Sequence, residues 1–561
     1  LTTITDPSGR TIYFTYDSSN KITSITDPSN NIYTFTYSNN NLISVSFPLV
    51  GNPSGWSYSY DANGQMKTKT DPQGYITTYT YDTNNKIISS QDPEGKTKTI
   101  TYDPINQTAQ ATEKDGGIWT YRYDPLLNVT TQKTDPQGNT TTYTYDQNKN
   151  LISTKEPDGS TTAYTYDTNR NMTSVTDALG NITSYTYNTS GQITSVTDSQ
   201  NKVTAYAYDA KGNLLSVTDP TGATTQYQYD SKGNLIQITN PNGQTTSFTY
   251  DQFNNLSSVT DSTGAKTTFT YDTSGNMTSQ TDSQGNVTRF EYNSLNQLIK
   301  ITDPQNNITT YTYDKNGNRT SETDANGKTT YYEYNYKGQL TKVTDPLGNI
   351  TTYTYGGTGC PSCGGGADKL MAITDAKGQT TMYLYDSLGR LIKETDSLGN
   401  TIAYSYDSKG NLISKTDINT INYNYDALGR LTKKTYPDGS FEVFEYNSKG
   451  NITSTGNKDT AYQLSYDAKS RLIASTDSNG LTIQYEYDSM GNRTKMITPE
   501  GKVIIYKYDL NNRLVQLISD AGTFSFTYDS LGRRIKLSMP NGTYATYNYD
   551  SAGRLINLTH K

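Results

Sequence analysis

The sequence predicts an all-β fold: about 26 β-hairpins copied in phase and joined into one continuous antiparallel spiral sheet. Three observations predict it. A Tyr-x-Tyr signature recurs, and its second tyrosine falls every 21 residues from Tyr145 to Tyr355. Gly, Pro or Asn-Gly interrupts the chain about every ten residues, so no helical periodicity survives. Finally, only 32% of the 561 residues are hydrophobic, yet 51 are Tyr. That is too little aliphatic material for several thick cores and too much aromatic material for a disordered chain.

The elements of one unit follow in order. In "TTYTYD", Tyr79 and Tyr81 point to one face of a strand and Thr78 and Thr80 to the other. Tyr227 and Tyr229 repeat that plan seven units later. A turn comes next, led by Asp82 in one unit and by Asp230 in another, where Gly233 holds the fourth place. Asp bonds its own backbone there and Gly accepts a positive φ. A second strand, "LLSVTD", leads to the return turn Asp219, Pro220, Thr221, Gly222, with Pro in its favoured second position. A unit is therefore a hairpin, and units join through another hairpin turn.

About 52 strands at about 4.8 Å each make a ribbon of about 250 Å. Twisted open sheets seldom pass about 10 strands without curling. The ribbon is expected to coil into a hollow shell or a β-solenoid-like tube. Its stability is expected from neighbours, with a tyrosine of one hairpin stacking near that of the next, at about 0.2–1 kcal/mol per cross-strand pair.

Composition narrows the function. Net charge is -7, pI is about 5.1 and no basic stripe exists, which argues against nucleic acid. No apolar run is long enough for a membrane helix. The single histidine, His560, leaves nucleophilic triads without a base, and no glycine-rich loop opens a helix to cradle phosphate. Rows of turn aspartates (Asp82, Asp92, Asp103, Asp135, Asp146) read as backbone caps rather than calcium ligands, because each turn supplies only one. No catalytic, cofactor-binding or metal residue is expected.

Three places depart from the rhythm. "GGTGCPSCGGGAD" stretches one step to 30 residues and holds Cys360 and Cys363, the only cysteines. A local disulfide closing a glycine-rich loop is expected, with a redox pair or half of a shared metal site as alternatives. This divides the array into 1–355, the insertion 356–370, and 371–561, with no separate catalytic domain. Trp56 and Trp119 sit in two looser units and are candidate sugar-binding aromatics or gap fillers. Sequons such as those at Asn181, Asn276 and Asn286 arise as by-products of the turn-strand junction. The chain opens inside a repeat, at "LTTITDPSGR", and carries no signal peptide, so it reads as a piece of a longer protein.

The stretch "YDSLGRLIKETDSLGNTIAYSYDSKGNLISKTD", from Tyr385 to Asp417, resembles the YD-repeat, or Rhs-repeat, family, and the match covers nearly the whole chain. The family includes bacterial Rhs toxins, C components of insecticidal toxin complexes, wall-associated proteins and teneurins. The resemblance implies a large hollow β-shell, which in Rhs toxins encloses a C-terminal toxin. The family's core motif and its aspartyl self-cleavage site match no residue here. The expected role is a non-enzymatic wall, bacterial and extracellular or surface-exposed. It encloses a polypeptide cargo or assembles with copies of itself into a tube or filament; the alternatives are an adhesin-type glycan- or cell-surface-binding module, or the shell portion of a larger Rhs toxin whose core and toxin are missing here.

Overall fold

A computed structural model describes residues 1–6, 9–48, 55–356 and 368–561. It holds 53 strands and, among the described residues, no helix. Each strand pairs antiparallel with the next along the chain, from Thr3–Thr5 to Leu555–His560, in a single sheet. The sheet is open, with these two strands as its edges.

Local chemistry explains the hairpin. The unit built on strands Thr224–Tyr229 and Leu235–Thr239 is representative. Asp230 Oδ1 accepts from the backbone N–H of Lys232 and of Asn234, both at 2.9 Å. Gly233 N–H donates to the Asp230 carbonyl at 3.1 Å, and Asp230 N–H to the Asn234 carbonyl at 2.9 Å. Gly233 sits at φ +92°, a region an L side chain enters only with strain. The result is a three-residue connection ending in a left-handed residue. The return turn at Asp219 repeats these bonds: its carboxylate accepts from Thr221 and Ala223 N–H, and Gly222 has φ +85°.

The turn leaves a mark on the ladder. Gln228 faces Gln237 while Tyr229 faces Leu235, so Ile236 is left over as a bulge. The same slip precedes the second tyrosine in nearly every unit, for example at Tyr81, Tyr166 and Tyr487. A bulge bends a strand and increases local twist. Repeated on the same side of each hairpin, it gives the ribbon a steady curvature.

Pairing also sorts the faces. Tyr227 lies opposite Ile238, Tyr229 opposite Leu235 and Thr225 opposite Val217, which makes one face apolar and aromatic. Gln226 and Gln228, opposite Thr239 and Gln237, make the other face polar. The tyrosines do not stack on one another, contrary to expectation. Among the described residues no ring pair joins tyrosines of successive Tyr-x-Tyr signatures. They stand two strands, about 10 Å, apart, too far for ring contact. Instead the second tyrosine reaches back with its hydroxyl. Tyr166 donates to the Leu151 carbonyl, Tyr250 to Leu235, Tyr271 to Leu256 and Tyr446 to Leu431, at 2.8 to 3.0 Å. Each bond spans 15 residues and ties one unit to the previous one.

The wall is one sheet thick. Its accessible surface is 31029 Å², against about 20,000 Å² for a solid monomer of this mass. Among the described residues, Ala111 and Ala545 are the buried apolar ones, and no large side chain is fully buried.

Candidate functional site: the seam between coils

The sheet winds back on itself. Side chains of its turns meet turns far along the chain, at separations of 241 to 260 residues. At about 21 residues a unit, one coil holds about twelve units, or about 24 strands and about 115 Å of sheet. The contacts follow one rule. A return turn of the earlier coil meets a tyrosine-aspartate turn of the next. Ser29 meets Thr273, Gln73 meets Asp314, Gln137 meets Asp386 and Asn511 meets Asp261.

Three lysines at the third place of their turns span this seam. Lys409 pairs with Asp158 at 2.9 Å, Lys449 with Asp198 at 2.6 Å, and Lys469 with Asp219. Asp219 thus caps its own turn and anchors the next coil. Burial pushes the Asp198 carboxyl upward, but the Lys449 ammonium and the N–H groups of Lys202 and Gln200 outweigh it and hold it below the usual carboxylate range. Asp158 and Asp219 are lowered by the same contest.

Asp92 is the most enclosed group of the seam, 6% exposed. It accepts from Lys114 at 3.0 Å and from the Tyr336 hydroxyl, 244 residues on, at 2.9 Å. Burial and then Asp92 push the Tyr336 phenol well above its ordinary value. The Tyr336 ring packs on Tyr75 at 5.8 Å. Among the described residues, no backbone-to-backbone hydrogen bond crosses the seam. It is a side-chain closure.

A second set of arginines binds unit to unit within the later coil. Arg430 donates to the Asp426 carboxylate of its own turn at 2.7 Å and to the Asn447 carbonyl of the next at 3.1 Å, and lies 4.7 Å over the Tyr446 ring. Arg390, Arg471, Arg513 and Arg533 make the same three contacts. In earlier units asparagine, such as Asn171 or Asn213, holds only its own aspartate.

The structure disperses the residues singled out in the sequence. Tyr79, Tyr81, Tyr227 and Tyr229 line the apolar face, and Asp82 and Asp230 cap turns of the first coil. Pro220 occupies the second place of the return turn. Trp56 and Trp119 take equivalent positions, two residues before a Tyr-x-Tyr, and each lies under a lysine: Lys69 at 3.9 Å and Lys133 at 4.3 Å. Cys360 and Cys363 lie outside the described residues. The strands that flank their loop, Ile350–Tyr355 and Leu370–Thr374, pair directly, so the insertion lengthens a single turn. Among the described residues no three His, Cys, Asp or Glu side chains assemble for a metal, and no helix could cross a membrane. The seam lysines were not singled out from the sequence. Their signal was a Lys in the third turn place, about twelve units after an acidic return turn.

Comparison with known proteins fits this geometry. No curated protein matches the chain. Among solved structures, TcdB2-TccC3 matches 98% of the chain with 14% identity and a TM-score of 0.56. The Photorhabdus luminescens Tc holotoxin pore matches 94% with 14% identity and a TM-score of 0.61. The chain spans about a third of those chains, 34% and 36%. The RHS Repeat model matches residues 1–32 and 60–97. The Teneurin YD-shell model matches 118–254, 241–355, 367–485 and 405–561. With its hairpin array matched over most of its length, the chain belongs to the teneurin YD-shell family of repeat proteins.

Proposed function

We propose that this chain is a stretch of hollow wall that encloses a polypeptide cargo outside the cell and catalyses nothing itself. The observation that carries this reading is the seam. The sheet returns to itself at a constant interval, so its faces separate an inside from an outside. About 115 Å of sheet per coil gives a diameter of about 37 Å between backbones and, less about 5 Å of side chains on each side, a lumen of about 27 Å. That is room for extended or loosely folded chain. The similarity to Tc toxin structures supports a container, and the commitment of turn aspartates to capping supports an inert one. Negative-stain electron microscopy of the purified chain tests the wall: stain-filled rings or short cylinders are expected, and solid particles would refute it. Cargo is tested separately by fusing an unfolded reporter after Lys561. Full digestion of the reporter by proteinase K would remove the container role and leave the wall intact.

A further inference from the structure

A crevice opens along the seam, with a volume of about 670 Å³, inside the range of about 300–1,000 Å³ typical of ligand pockets. Its first-coil wall carries Trp119, Lys133, Tyr143 and Glu156; turns around Arg390 and Lys409 form the other side. The two sides differ in how far their polar groups are already committed. Arg390 is held by Asp386, the Asp407 carbonyl and Gln137, and Lys409 by Asp158 and the Ala427 carbonyl. The first-coil wall is different. Among the described residues, the Trp119 indole N–H and the Tyr143 hydroxyl have no hydrogen-bond partner. Lys133 makes no ion pair and rests on the indole at 4.3 Å. The Glu156 carboxylate meets only the Thr141 hydroxyl, at 3.4 Å.

Trp119 also breaks the repeat here. Its position is held by Thr in the units that follow, as at Thr141 and Thr162, and the strand position facing Tyr121 holds Lys133, where the units of Tyr164 and Tyr227 hold Val175 and Ile238. A threonine would leave the wall flat and small. The indole supplies an apolar platform that the wall's own packing does not cover with another ring.

We propose that this crevice binds a saccharide. A pyranose presents an apolar C–H face and a rim of hydroxyls, each both donor and acceptor. The Trp119 ring takes the face. Glu156 accepts hydroxyl protons, and Lys133, Tyr143 and the indole N–H donate to hydroxyl oxygens. A phosphate-rich ligand is disfavoured, because Glu156 and Asp135 line the site and Lys409 is already paired with Asp158. The inference is independent of the container reading: a wall without cargo could bind sugar, and an unadorned container need not.

The chain has two tryptophans, so Trp56→Phe leaves Trp119 as the only indole. Its emission is titrated with cellohexaose, maltohexaose and N-acetylchitohexaose. At least one is expected to shift the emission saturably, with half-saturation near or below about 1 mM. Adding Glu156→Gln is expected to weaken that response about tenfold, with the circular dichroism unchanged. Calorimetry on Trp119→Thr, which restores the residue its neighbours carry, is expected to show binding lost. No emission change with any of the three sugars to about 10 mM, or calorimetric binding unchanged in Trp119→Thr, overturns the proposal.

Discussion

At the residue scale the fold rests on a few substitution-sensitive positions copied many times. Gly233 at φ +92° is one. Gly233→Val is expected to strain that turn by about 1–2 kcal/mol. Because a repeat array opens locally, the check is hydrogen exchange: faster exchange across residues 224–239 with residues 482–497 unchanged. A uniform effect would show that the units are not independent. Tyr250 is another. Removing its hydroxyl in Tyr250→Phe deletes the 2.8 Å bond to the Leu235 carbonyl and is expected to cost about 1 kcal/mol locally. Tyr404 illustrates how the sheet treats a phenol beside a carboxylate. Burial first, then Glu394 at 3.2 Å, push it up to about 12. These roles were legible in part. The need for Gly and Asp in the turns follows from turn chemistry alone. The Tyr-to-carbonyl bond does not, because periodicity says which face a tyrosine takes and not what its hydroxyl reaches.

At the element scale the unit is interchangeable and the connections are not. The Arg430 triple contact ties one hairpin to the next, whereas Asn171 ties only its own turn. Arg430→Asn is expected to lose about 1 kcal/mol of inter-unit coupling while keeping the turn, and Arg430→Ala somewhat more. Exchange rates in residues 441–456 distinguish the two variants, and equal effects would show that the aspartate contact adds nothing to the inter-unit bonds. A whole unit can also be removed. Deleting residues 224–244 is expected to preserve the sheet and shift the seam by one unit, so that Asp198 faces Lys469 instead of Lys449. Zero-length cross-linking with mass spectrometry reads this directly. An unchanged Asp198–Lys449 product would mean the seam does not follow the unit count.

At the scale of the whole molecule the coils are held together by side chains, and that makes closure dependent on charge. The carboxylates of Asp158, Asp198 and Asp219 lie below their unfolded values. Their contribution is therefore complete above the unfolded pKa, about 3.9, and is lost as pH falls through the folded values. Small-angle scattering is expected to show the molecule elongating as pH drops below about 4, with the antiparallel β circular dichroism retained. Lys449→Ala with Lys469→Ala is expected to move that opening toward neutral pH and to make it sensitive to salt. Loss of β signal together with the opening would mean that the ladder itself, not the seam, responds to acid.

The sequence by itself determined the strand, the turn, the count of about 26 units and the conclusion that so thin a ribbon must coil. Each of these depends on residues within about ten positions of one another, and local propensity and alternation record such relations fully. Only the tertiary structure decided the coil of about twelve units, the partnership of Asp92 with Tyr336 and the crevice beside Trp119. Coil size is set by a small bend per bulge summed over many strands, so an error too slight to read in any one unit moves the seam by a whole repeat. The residues that meet across it are paired by an interval of about twelve units that no local stretch of sequence records.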